Sequence, residues 1–138
     1  MTLTRLQKIA LGIAGASAFG IGVAITAIPH AFYAGYGIAL GPDPSLLSEL
    51  RAPGAGLAVL GAVMLAGLVR SSLRDLALAA ALLVFLAFPA GRIVGLVLDG
   101  MPSAGIMAAL VFELTVAALC LFAFRPTRAR ADRRVALR

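Results

Sequence analysis

Four apolar runs, each about the length of a membrane span, constrain this chain more than any other feature. A helix rises about 1.5 Å per residue and the hydrocarbon core of a bilayer is about 30 Å thick, so about 20 apolar residues suffice to cross. The runs are Ile9–Ile28, Pro53–Val69, Leu76–Leu98 and Ala104–Phe124. The first two carry no charge, the third carries only Arg92 and the fourth only Glu113. Hydrophobic residues make up 62% of the chain and charged ones 13%. A soluble domain averages about 45–50% apolar and about 25% charged, so the composition excludes that class. The expected fold class is all-α, a four-transmembrane-helix bundle built from two antiparallel hairpins. Residues 1–124 form the membrane domain and residues 125–138 a basic tail.

The cations fix an orientation. Arg5, Lys8, Arg70, Arg74 and the six arginines of the tail fall at one end of the spans. The other end has Arg51 together with Asp43, Glu49 and Asp99. The positive-inside rule therefore places both termini in the cytoplasm, and 29–51 and 99–103 outside. This pattern also accounts for the net charge of +6 without nucleic acid, because the cations sit at span ends rather than on one folded basic face. The expected location is the bacterial cytoplasmic (inner) membrane, with membrane lipids as partners and no nucleic acid. The first run has a rival reading as a secretory signal, with Ala16-Ser17-Ala18 as a cleavage site. Signal cores run about 7–15 residues, whereas this run continues past Ala18, so an uncleaved helix is expected.

Local chemistry punctuates the spans. Pro29 ends the first, and Tyr33 and Tyr36 suit a membrane–water interface. Asp43-Pro44 has the chemistry of a helix start, so a short helix from Pro44 to about Arg51 is expected before the second span. Ser72-x-x-Asp75 has the spacing of a capping box opening the third span. Pro89 lacks an amide donor and frees the carbonyl of Phe85, which predicts a kink or local unwinding. Small residues at spacings of three or four permit close helix contact, at Gly12, Ala16 and Gly20, at Gly54, Ala58 and Gly61, and at Gly91 and Gly95. The single Cys120 excludes an internal disulfide and reads as a packing residue.

Arg92 and Glu113 carry the chemistry. A charge within a span is costly and normally faces a protein interior with a partner. Across the tight turn Asp99–Ser103, Arg92 lies about 9 Å below the outer boundary and Glu113 about 14 Å. Helical side chains lean toward their own N-terminus, so in an antiparallel pair Arg92 leans inward and Glu113 outward. A direct or water-bridged ion pair is expected, serving either to fix helix register or to receive a ligand. Arg51, Glu49 and Asp99 are expected to line a polar mouth above it. His30 is an interfacial residue and the outermost candidate for ligand contact. No phosphate loop, nucleophile–base pair or dinucleotide fingerprint is present, and one histidine cannot build a His-rich metal site, so no catalytic residue, metal or cofactor is assigned.

Ser48-Glu49-Leu50-Arg51-Ala52, Gly91-Arg92, Asp99-Gly100-x-Pro102 and Glu113-Leu114 together resemble the pattern of small bacterial four-helix membrane proteins catalogued as a domain of unknown function. The likeness covers the chain apart from the arginine tail, with Pro53 standing where that pattern has a larger residue. It implies fold and topology and supplies no activity. Three functional readings follow from the residues. The first is a binding protein that holds a small amphipathic ligand or lipid in an outward-facing pocket around Arg92, Glu113 and Arg51. The second is an accessory subunit that docks other membrane subunits or a second copy of itself. The third is a membrane enzyme using Glu113 as proton carrier.

Overall fold

The computed structural model describes residues 3–125. The basic tail from residue 126 onward lies outside the described residues. Every regular element among those described is helical: α1 (Arg5–Ala27), α2 (Pro29–Ala34), α3 (Pro44–Val69), α4 (Arg74–Leu98) and α5 (Ala104–Phe124). The four long helices are each long and apolar enough to cross a membrane. They form a four-helix bundle in which α1 packs on α3, α3 on α4, α4 on α5 and α5 on α1.

Helix starts follow the side chains. Thr4 caps α1 through a reciprocal box with Gln7, the Gln7 amide donating to Thr4 Oγ1 and the Thr4 amide to Gln7 Oε1. This box starts α1 at Arg5, one turn before the apolar run begins. Gln7 Nε2 also donates to the Ala123 carbonyl at 3.1 Å, tying the start of α1 to the end of α5. Asp43 caps α3 by accepting from the Ser45 amide, with Pro44 in the first turn as expected.

Two local expectations change. The short helix and the second span are one element, since α3 runs unbroken through Pro53. The proline removes a single helical bond, to the carbonyl of Glu49, which is an exposed residue near the helix start. The Ser72–Asp75 box does not form. A 3-10 turn, Ser71–Leu73, leads directly into α4, and Leu73 occupies the cap position with no side-chain bond. Asp75 still lies in the first turn of α4, where a negative charge suits the helix dipole. α4 is assigned as helix throughout, with Pro89 inside it.

The seam between α1 and α3 is the tightest in the fold. A Cβ on Gly61 would strike the backbone of Phe19, and one on Gly22 would strike the backbone of Ala58 and the Gly54 carbonyl. A Cβ on Gly15 would lie 2.8 Å from Leu65 Cγ. The packing row of α1 is therefore Gly15, Ala18 and Gly22. Gly12 and Gly20, expected to form it, have open space around them. The half of the bundle at the start of α1 and the end of α5 closes around a core in which Leu11, Met64, Ala81 and Cys120 have no exposed surface. The opposite half, which carries α2 and the α4–α5 turn, is where the helices part.

Candidate functional site

The parted half encloses a cavity of about 790 Å³. Its floor and inner wall are buried and apolar, formed by Ala18, Ile25, Leu57, Val84 and Phe85. α5 contributes small residues, Gly105 and Ala109, to its lining. Phe85 and Phe112 meet edge to face across α4 and α5, with ring centroids 6.3 Å apart.

One ion pair stands in this apolar wall. The turn Asp99–Ser103, with Gly100 at φ +93°, returns α5 antiparallel to α4 and brings Arg92 level with Glu113. Arg92 Nε donates to Glu113 Oε2 at 2.9 Å and to Oε1 at 3.1 Å, and Nη2 donates to Oε1 at 2.9 Å. Both carboxylate oxygens are thus engaged, the two-pronged geometry in which a guanidinium binds a carboxylate most strongly. The glutamate is the more enclosed partner: its side chain keeps 12% of its surface, against 26% for Arg92. Both residues line the cavity.

α2 roofs the cavity. Pro29 starts this helix and Gly37, at φ +77°, reverses the chain just after it. Phe32 and Tyr33 on this helix and Tyr36 in the turn after it line the cavity, the Phe32 ring centroid lying 5.3 Å from each tyrosine ring. The Ser103 hydroxyl donates to the Tyr36 carbonyl at 2.8 Å while its oxygen accepts from the Ile106 amide at 3.4 Å. One side chain therefore caps α5 and holds the end of α2 against it. Tyr36 comes so near α5 that a Cβ on Gly105 would lie 3.1 Å from its ring. Burial pushes the Tyr33 phenol above its ordinary value of 10.0; the charge of Arg92 pulls it down and Tyr36 adds a smaller upward push.

A family model described as a domain of unknown function, DUF4345, matches residues 6–124. The chain belongs to this family. Among curated proteins and among solved structures, none matches it. The DUF4345 region takes in all four long helices and every residue that lines the cavity. Being a domain of unknown function, the family brings no activity to the site.

The residues singled out from the sequence do not all converge. Arg92 and Glu113 pair in the cavity wall. Arg51 lies elsewhere: its Nε donates to the Thr26 carbonyl at 3.1 Å, satisfying one of the last carbonyls of α1, and it lines a shallow groove with Thr26, Pro44 and Ser48. Glu49, Asp99 and His30 are exposed and do not line the cavity. Gly91 and Gly95 make no close helix contact, and Gly91 faces the cavity instead. Tyr33 and Tyr36, read as interface anchors, supply the polar roof. Their signal in the sequence is the clustering of Phe32, Tyr33 and Tyr36 on the short segment opened by Pro29. Among the described residues no three His, Cys, Asp or Glu side chains gather as metal ligands would.

Proposed function

We propose that this chain is a multi-pass protein of the bacterial cytoplasmic membrane that holds a small amphipathic molecule or lipid in the cavity beside Arg92 and Glu113. Its termini face the cytoplasm and α2 faces outward, following the arginines. The observation that carries the binding reading is the ion pair set in the wall of an otherwise apolar cavity of about 790 Å³. A pair needed only for helix register requires no empty space beside it. A large apolar pocket with a few converging polar groups is the usual form of a small-molecule site. Both oxygens of Glu113 are held by Arg92, so the carboxylate anchors the guanidinium and is not poised as a free proton carrier.

Native mass spectrometry of the full chain, extracted gently into detergent, tests this. The expected result is a co-purified small molecule, displaced when Ala109→Leu narrows the cavity. Stoichiometric partner chains with an empty cavity would favour the accessory-subunit reading, and a bare chain would refute both. Orientation has its own check. In a Cys120→Ala background, a cysteine at Ser45 should label from outside intact cells and one at Ser71 only after lysis; the reverse order refutes the topology.

A further inference from the structure

The cavity has a hydrogen-bonding character that narrows what it can hold, and this step rests on the reading of the cavity as a binding site. The site carries one full positive and one full negative charge in direct contact. A second anion would meet the carboxylate of Glu113, and a second cation the guanidinium of Arg92, each at the cost of leaving water. A neutral ligand avoids both costs.

The pair and Tyr33 leave several N–H and O–H donors over, beside the Phe85 carbonyl that Pro89 frees. Glu113 spends both oxygens on Arg92, whereas Arg92 uses only Nε and Nη2. A guanidinium has five N–H groups. Among the described residues Nη1 has no protein partner and keeps some accessible surface, and Arg92 lines the cavity. Tyr33 lines the same space. Burial raises its phenol above the ordinary value, so it keeps its proton at neutral pH and can donate. Arg92 N–H groups and a phenol O–H favour an oxygen that accepts.

The way in lies on the flank. Ala87, Phe88 and Gly91 on α4 and Ala108 and Phe112 on α5 line the cavity and are exposed, the two phenylalanines at 40% each. They sit within helices apolar enough to cross a membrane. A molecule dissolved in hydrocarbon reaches such an opening without crossing water. We propose that the cavity selects a neutral, membrane-dissolved molecule with a flat or chain-like apolar body and a carbonyl as its one polar end, held by Arg92 and Tyr33, in preference to amphipaths with a charged head.

Four probes sharing one tricyclic body separate these terms: fluorene, fluorenone, fluorene carboxylate and fluorenyl methylamine. Each is titrated calorimetrically into the full chain in a non-ionic detergent. Fluorenone is expected to bind saturably at one per chain, about tenfold more tightly than the hydrocarbon or either charged analogue. Tyr33→Phe should weaken fluorenone about three- to tenfold, the loss of one net hydrogen bond, and leave fluorene unchanged. Circular dichroism of the variant verifies that it is folded. The selection is overturned if a charged probe binds most tightly, if fluorenone and fluorene bind alike, or if folded Tyr33→Phe binds fluorenone as the parent does. Saturable binding of fluorene that Ala109→Leu abolishes would then still uphold the cavity as a site. Absence of saturable binding for all four, with no co-purified molecule, would remove the site as well.

Discussion

Removing one half of the Arg92–Glu113 pair should cost far more than removing both. At the Nη2–Oε1 distance of 2.9 Å, and an effective dielectric constant of about 20, the attraction is about 6 kcal/mol before any desolvation is subtracted. Orphaning one partner of a buried pair costs about 3–5 kcal/mol, because a charge is left without its counter-charge in a poor solvent. Here the Arg92 side chain keeps 26% of its surface, so solvent recovers part of that loss and about 3 kcal/mol is expected for Glu113→Leu. Arg92→Met should cost at least as much, since the carboxylate it strands is the more enclosed partner. The double variant replaces the pair with apolar side chains of similar length and should lie within about 1 kcal/mol of the parent. The assay is reversible unfolding of the full chain in mixed micelles by a graded denaturing detergent, followed by far-ultraviolet circular dichroism. The double variant should be at least about 2 kcal/mol more stable than the sum of the single losses allows. Single variants that unfold with the parent, or a double variant whose loss equals the sum, would refute the claim that these two side chains act as a buried pair.

Two further outcomes test the packing and the roof. Gly61→Ala and Gly22→Ala should each cost about 1–3 kcal/mol in the same unfolding assay, because the added Cβ meets the backbone of the facing helix; Gly12→Ala, with nothing within 4 Å, should gain about 0.5–1 kcal/mol from helix propensity, and the opposite ranking would overturn the assigned seam. Tyr33 should ionise above 10.0 when phenolate absorbance is followed as pH rises, and Tyr33→Phe should delete that late component; because the folded state holds the proton more tightly than the unfolded one, stability from this group is complete below pH 10 and is lost as pH climbs above it, whereas a Tyr33 component at or below 10.0 would contradict its burial on the inner side of α2.

The ion pair was legible because its two members break an otherwise charge-free pattern. A lone charge inside a span demands a partner, and a five-residue turn leaves the facing helix as the only place to find one. Arg51 was misread for the opposite reason. It lies in a polar stretch where many acceptors are within reach, and the topology, which sets this stretch on the same side as the α4–α5 turn, pointed toward the mouth of the pair. The nearer demand was the unsatisfied Thr26 carbonyl at the end of α1, which no spacing rule reveals until α1 and α3 are packed. The tyrosines show a third case. An amphipathic ring following a span reads as an interface anchor, and the same ring serves equally well as a roof. What decides between them is Gly105, on a helix almost seventy positions away, which leaves Tyr36 room to lie against α5.

Glycine makes the same point about the bundle as a whole. On α1 and α3, Gly22 and Gly61 are places where a larger residue would strike the facing backbone, and at Gly15 and Gly54 it would strike the side chains of Leu65 and Ile25. On α4, Gly91 has nothing within 4 Å and faces the cavity, so there the missing side chain leaves space unfilled. Small residues on α1 fall in two rows with nearly the same spacing, Gly12–Ala16–Gly20 and Gly15–Ala18–Gly22, and the row that packs is the one flanked by Leu11, Ala14 and Ile25, which are buried with it. Spacing alone therefore says that a helix can approach a neighbour. Whether it does so depends on what the neighbour presents. α3 offers glycines that admit α1 to backbone contact, whereas α4 and α5 meet through a bulky ion pair and two phenylalanines that hold them apart. The closed seam and the open cavity thus arise from one composition, and Arg92, Glu113, Phe85 and Phe112 stand at the void where Gly22 and Gly61 stand at the contact.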